Sequence, residues 1–391
     1  MDEVLRDIRN CHAVQQPEWT DVPQVDRVGD ALASRPPLVQ AADLRVLRDA
    51  LARVAAGEAM VMQAGDCAED PAECTPDDVA RKAGLLDVLA GTLRMKTHKP
   101  VIRVGRIAGQ FAKPRSRPTE TVNGVEIPVY RGHMVNGLEP DPEARRPDPL
   151  RILTGYMAAA DIVEHLGWRH RPAGRHALEP PVWTSHEALL LAYEIPMLRT
   201  DERGKLFLGS THWPWIGERT RQLDGAHVAL LAQVDNPVAC KVGPSMEPAD
   251  VLALCERLDP GREPGRLTLI ARMGADRVAE RLPSLVEAVR AAGHPVIWLT
   301  DPMHGNTVAA PDGTKTRHVE TVSREVAAFQ QAVAAGGGVC GGLHLETTPH
   351  DVTECVSCEA DLDHVGDKYT TFCDPRLNPR QAVSVVSAWT A

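Results

Sequence analysis

The chain has 391 residues, with 43 Lys and Arg against 53 Asp and Glu and a formal charge of −10 at pH 7. At 43% hydrophobic and 25% charged it carries enough apolar material for a large core, which excludes a disordered polymer and a collagen-like repeat. The negative balance argues against nucleic acid as a partner, because neutralising phosphates needs a basic face.

The chain opens Met1-Asp2-Glu3-Val4-Leu5-Arg6-Asp7, without the basic start and apolar centre of a signal peptide. Its longest apolar stretches, such as Val228–Ala232, are too short to cross a bilayer, so a cytoplasmic enzyme is expected. Residues 13–40, with prolines at 17, 23, 36 and 37, read as a poorly ordered or surface-hugging lead-in. The division expected is an N-terminal extension over 1–40 and a single catalytic domain over 41–391.

The first strand is predicted at Ala59–Gln63. A helix follows, capped by Thr75-Pro76-Asp77-Asp78, with Val79, Leu86, Leu89 and Leu93 on one face. Further strands are predicted at Val101–Val104, Val182–Thr184 and Leu206–Leu208. Gly217–Val234 reads as the next helix, then Val238–Val242 and Leu267–Ala271 as strands. A helix over Asp276–Ala292 stops at Gly293, with Pro283 expected to kink it or delay its start. The last strands are Val296–Leu299 and Gly342–Leu345, the latter approached through the flexible glycines of Gly336–Gly342.

Eight short apolar runs alternating with helices suggest a (β/α)8 TIM barrel, with a doubly wound open sheet as the competitor. The ends of the runs favour the barrel. Asp66 and Cys67 follow the first, Arg106 the second, His186 and Glu187 the third; Lys241 closes the fifth and Arg272 follows the sixth. Asp301 and His304 follow the seventh and Glu346 ends the eighth. An open sheet would spread these groups along a line, whereas a barrel gathers them at one mouth.

Two sets carry chemistry. Arg106, Lys113, Arg115, Arg219, Lys241 and Arg272 are cationic, and several stand at strand ends where a cation needs an anion or water. They imply a ligand bearing phosphate and carboxylate, and Lys113-Pro114-Arg115-Ser116 a second phosphate clamp. Cys67, His304, Glu346 and Asp374 offer a thiolate, an imidazole and two carboxylates, which suit Mn2+, Co2+, Fe2+ or Zn2+ better than Mg2+. Cys355-x-x-Cys358 has no second pair at matching spacing, so a structural zinc is not expected there.

The strings around these residues resemble the class II, plant-like 3-deoxy-D-arabino-heptulosonate 7-phosphate (DAHP) synthases. The resemblance runs through Gln63–Glu69, Arg103–Ser116, Arg131–Gly137, Thr184–Leu189 and Ile216–His227. It continues through Lys241–Pro244, Arg272–Gly274, Asp301–Thr307, Lys315–His318, Gly341–Thr347, Val352–Cys355 and Cys373–Asn378. It implies a metal-dependent condensation of phosphoenolpyruvate with erythrose 4-phosphate that releases phosphate, the first step of the shikimate pathway.

By position, the resemblance assigns the metal to Cys67, His304, Glu346 and Asp374, with Mn2+ first among candidates. It assigns phosphoenolpyruvate to Arg106, Glu218, Arg219, Lys241 and Arg272, and the aldose phosphate to Lys113, Arg115 and Ser116. Lys241, Glu218 and His304 are the catalytic candidates, and a homo-oligomer is the expected assembly. A Cys67–Cys373 disulfide would remove a metal ligand under oxidation. Only 26 residues separate Tyr156 from Trp183, where long family members carry an additional helical pair tied to feedback, so a feedback-insensitive copy serving a specialised metabolite is the reading. The alternatives are an aminoDAHP synthase taking an imino aldose phosphate, or a catalytically idle barrel serving as a binding partner.

Overall fold

Eight parallel strands form one sheet in the computed structural model, which describes residues 2–122, 124–169 and 179–390. They are β1 (Met60–Gly65), β2 (Val101–Arg106), β3 (Val182–Ser185), β4 (Trp215–Ile216), β5 (Val238–Val242), β6 (Leu267–Ala271), β7 (Ile297–Thr300) and β8 (Val339–Glu346). Their hydrogen-bonded order is β3-β2-β1-β8-β7-β6-β5-β4. The two ends meet through one bridge, between Glu187 just past β3 and Trp215 of β4. Around it the Trp213, Trp215 and Ala188 amides donate to the Thr184, His186 and Trp215 carbonyls at 3.0–3.1 Å. The sheet closes there into the expected (β/α)8 barrel.

The strands are short and apolar because both faces are covered, by the barrel interior and by helices. The helices are α1 (Asp2–Asn10), α2 (Val22–Ala33), α3 (Ala41–Ala55), α4 (Pro76–Thr97), α5 (Leu150–His165) and α6 (Leu191–Glu194). They continue as α7 (Ala226–Gln233), α8 (Pro248–Leu258), α9 (Val278–Ala291), α10 (Val319–Ala335) and α11 (Pro379–Ser387). Thr75 caps α4, its hydroxyl accepting the Asp78 amide at 3.3 Å, with Pro76 in the first turn. No described helix is long and apolar enough to cross a membrane.

Three local expectations need correction. Leu206–Leu208 is not a barrel strand: it pairs antiparallel with Leu198–Thr200 in a hairpin between β3 and β4. The fourth barrel strand is Trp215–Ile216, too short to show any periodicity in the sequence. The helix expected from Gly217 starts only at Ala226, because residues 217–225 form the loop that presents Glu218 and Arg219. Pro283 falls in the second turn of α9, which starts at Val278, later than Asp276 as the proline leads one to expect.

Residues 13–40 carry regular structure. Asp21 caps α2 by accepting the Gln24 amide at 2.8 Å, and the helix buries Val28 and Leu32. α3 passes under the barrel floor, where a Cβ on Gly265 would lie 2.3 Å from the Arg48 carbonyl. The glycines before Leu343 also have a role beyond flexibility. The β7–β8 register slips by one residue between Trp298 and Leu299, a bulge. Gly342 there takes φ 140°, and a Cβ on it would lie 1.9 Å from the Val61 carbonyl.

Candidate active site

Register decides which side chains meet. Gly65 pairs with Arg106 on one side and Glu346 on the other, so the ends of β8, β1 and β2 lie level at one rim. Above that rim is a cavity of about 530 Å³. All eight predicted substrate residues line it: Arg106, Lys113, Arg115, Ser116, Glu218, Arg219, Lys241 and Arg272. His304 and Asp374 line it too, while Glu346 and Cys67 lie fully buried beside it.

The loop after β2 is held by a carboxylate. Glu69, buried, accepts the Ala108 and Gly109 amides at 2.9 Å and the Gln110 amide at 2.7 Å. This fixes the turn that launches Lys113, Arg115 and Ser116, and Ser116 Oγ accepts the Arg219 guanidinium at 2.6 Å. The Gln110 side chain in turn accepts the Glu187 amide at 3.0 Å.

Inside the barrel a chain of hydrogen bonds has only one possible direction. The Ser185 hydroxyl donates to the Gly105 carbonyl at 2.9 Å and accepts the Gln63 amide at 2.9 Å. Gln63 Oε1 then accepts from His344 Nδ1 at 2.7 Å, leaving His344 Nε2 to accept the Arg106 guanidinium. Burial, with Lys241 and Arg106 nearby, pushes the His344 pKa well down, as a neutral acceptor requires. Arg106 is further fixed by the Asp66 carbonyl at 3.2 Å, by Glu346 at 3.0 Å and by the Trp215 ring at 5.2 Å.

Glu346 is the negative centre of the floor. Burial opposes its charge, but His304, Arg317, Arg106 and Lys113 hold its carboxyl down at about 2. Arg317 reaches its second oxygen at 3.0 Å. Lys241 Nζ donates to Asp301 at 2.5 Å, and Asp301 also takes His304 Nδ1 at 2.8 Å. Burial lowers the His304 pKa despite Asp301, and the ring Nε2 faces Glu346 Oε1 at 3.7 Å.

Cys67 Sγ lies 3.6 Å from Asp374 Oδ2, and Lys315 Nζ holds the other Asp374 oxygen at 2.9 Å. The four metal candidates thus fall into two touching pairs linked by Lys113, which is 3.9 Å from Glu346 and close in charge to Cys67 and Asp374. Among the described residues no three His, Cys, Asp or Glu side chains are drawn into a ready metal cage. As donor chemistry the set fits a divalent transition ion: a thiol, an imidazole oriented by a carboxylate, and two carboxylates. Burial raises the Cys67 thiol well above its ordinary pKa, so binding an ion releases its proton. Cys67 and Cys373 are both free thiols.

Three arginines on the cavity wall, Arg115, Arg219 and Arg272, make no ion pair with a carboxylate among the described residues. Glu218 has its own partner, Arg221 at 2.8 Å. Glu187, Lys315 and Arg317 also line the cavity. Glu187 is expected at the mouth as a strand-end group, whereas Lys315 and Arg317 stand in a stretch that marks the family resemblance and only the packing shows that they face this site. Burial raises the Glu187 carboxyl pKa in spite of Lys113, Lys241, Arg106 and Arg219. Residues 170–178 of the shortened segment between Tyr156 and Trp183 lie outside the described residues.

The model of the class-II DAHP synthetase family matches residues 4–179 and 164–389. The chain belongs to that family. It is 60% identical, over 100% of its length and 98% of the relative's, to the probable phospho-2-dehydro-3-deoxyheptonate aldolase of Pseudomonas fluorescens. It is 42% identical to the phospho-2-dehydro-3-deoxyheptonate aldolase of Streptomyces coelicolor, over 96% of this chain and 94% of that protein. A solved truncated 3-deoxy-D-arabino-heptulosonate 7-phosphate synthase from Thermotoga maritima shares 15% identity over 84% of both chains. Its TM-score is 0.40, too low to inform this site. As a class-II DAHP synthase the chain is an enzyme, and the cavity at its strand ends is where such a barrel does its chemistry.

Proposed function

We propose that this enzyme joins phosphoenolpyruvate, erythrose 4-phosphate and water to give DAHP and inorganic phosphate, in the cytoplasm and as a homo-oligomer. The observation that carries the reading is the set of arginines with no carboxylate partner among the described residues, Arg115, Arg219 and Arg272, around one cavity that also holds Lys113 and Lys241. Such a wall needs anions with several charges, and two phosphorylated substrates supply them.

Arg106, Glu218, Arg219, Lys241 and Arg272 take the phosphate and carboxylate of the enol phosphate, and Lys113, Arg115 and Ser116 the phosphate of the aldose. Cys67, His304, Glu346 and Asp374 hold a divalent ion, Mn2+ first among candidates, which supplies Lewis-acid polarisation of the aldehyde carbonyl when bound. The cationic wall brings together two anions that repel each other, and orients C3 of the enol toward C1 of the aldose. The new C–C bond forms there, water adds at C2, and the C2–O bond to phosphate breaks. Glu187, whose carboxyl pKa burial raises in spite of the cations around it, lines the same cavity and is placed to exchange a proton there. Lys241 Nζ, whose pKa burial lowers, is a second proton source, with Asp301 fixing its direction.

Residues 1–40 are the extension and 41–391 the barrel domain in this reading. The short stretch between Tyr156 and Trp183 supports a copy without aromatic amino-acid feedback. The test is phosphate release from phosphoenolpyruvate and erythrose 4-phosphate with Mn2+, before and after chelation, with tryptophan and phenylalanine in parallel. Release that stops on chelation and ignores both amino acids is expected. No release, or release only with the imino sugar phosphate, overturns the substrate assignment.

A further inference from the structure

The segment between α1 and α2 ties together the loops that follow β2, β3 and β4, where the barrel closes through a single bridge. His12 forms a parallel bridge with Gly225, and its carbonyl accepts the Ala226 amide at 3.0 Å. The Gln16 side chain donates to the Leu189 carbonyl at 2.9 Å and accepts the Leu191 amide at 3.0 Å. These contacts pin the segment to the loops after β3 and β4.

Gln15 lies between them with φ 62°, in the left-handed region that few non-glycine residues adopt. That turn directs it to the remaining loop. Gln15 Oε1 accepts the Arg115 amide at 2.8 Å, and its carbonyl accepts the Arg131 guanidinium at 3.4 Å. Anchoring the segment needs neither bond, because His12 and Gln16 already supply anchors on each side. What the Gln15 bonds fix is the backbone from which Arg115 extends into the cavity, beside Lys113 and Ser116.

We propose that Gln15 is a positioning residue for the Lys113–Ser116 loop, so that the N-terminal segment completes the end of the site that grips the aldose phosphate. The inference rests on the assignment of that loop given above. Gln15 acts through Arg115 and touches no reacting atom.

The test is steady-state kinetics of Gln15→Gly in the full-length protein. Glycine keeps the left-handed backbone and the carbonyl to Arg131, and removes only the oxygen that holds Arg115. The expected result is a rise in KM for erythrose 4-phosphate of about three- to tenfold, as for one lost hydrogen bond. The KM for phosphoenolpyruvate, kcat and the thermal midpoint stay at the parent values. Gln15→Asn, which tolerates the same backbone but is one methylene too short to reach Arg115, gives the same split if glycine loosens the segment.

An active enzyme in which both variants leave the two KM values unchanged, or raise them together, overturns this inference alone. A parent enzyme that releases no phosphate from the substrate pair overturns the substrate reading and this inference with it.

Discussion

Lys241 Nζ and Asp301 Oδ2 lie 2.5 Å apart, one on β5 and the other just beyond β7, and both are buried. Asp301 holds His304 as well, so one carboxylate orients a candidate substrate-binding cation and a candidate metal donor. Desolvating either charge is expensive, and each makes the other tolerable.

Removing one partner leaves an uncompensated buried charge. Asp301→Ala is expected to lower the unfolding free energy by about 3–5 kcal/mol in urea titrations and to abolish phosphate release. The Lys241→Met, Asp301→Ala double variant should cost less stability than the sum of the two single changes, because it removes both charges. Strict additivity would show that the pair does not interact in the folded protein.

His304 is partly open to the cavity, and its ring is held at Nδ1 by Asp301, with Nε2 toward Glu346. His304→Ala should leave the far-ultraviolet dichroism and thermal midpoint close to the parent's. Phosphate release should fall by about 100-fold or more, and the variant should retain less manganese than the parent after dialysis against it. Full turnover by the variant would remove His304 from the site.

Glu325 on α10 joins two of the loops at the mouth, accepting the Gly274 amide at 3.0 Å and the Asn306 side-chain amide at 2.5 Å. Burial raises its pKa from the ordinary 4.5 to about 8, against the pull of Asn306. The folded protein therefore keeps a proton that the unfolded chain has lost. The stability this group contributes is full below pH 4.5 and is lost as pH rises through about 8. The urea midpoint should fall between about pH 4.5 and pH 8 and level off above that, and Glu325→Gln should flatten that fall. An unchanged slope in the variant would assign the effect to another group.

The strand ends show how far the linear chain can be read. Glu346 and His304 each follow an apolar run too short for a helix, and that local pattern is enough to place them at the mouth of a barrel. Glu69 stands in a recognisable string, Gln63–Glu69, but its work depends on amides 39–41 positions away. The segment at 206–208 misled because an apolar Leu-Phe-Leu run has the same period in a hairpin as in a barrel strand. Trp215–Ile216 gave no signal, since two residues have no period at all.

The order of residues by itself determined the alternation of elements and the chemical kinds of side chain that stand at the strand ends, because periodicity and side-chain chemistry are local properties. Only the tertiary structure decided which groups are already committed: Arg106 to His344 and Glu346, Glu218 to Arg221, Lys241 to Asp301. It also decided that Gln15, in a stretch that reads as a loose lead-in, reaches Arg115 100 positions away. Commitment of a buried charge depends on where closure of the barrel brings its partner, and spacing along the chain does not encode that distance.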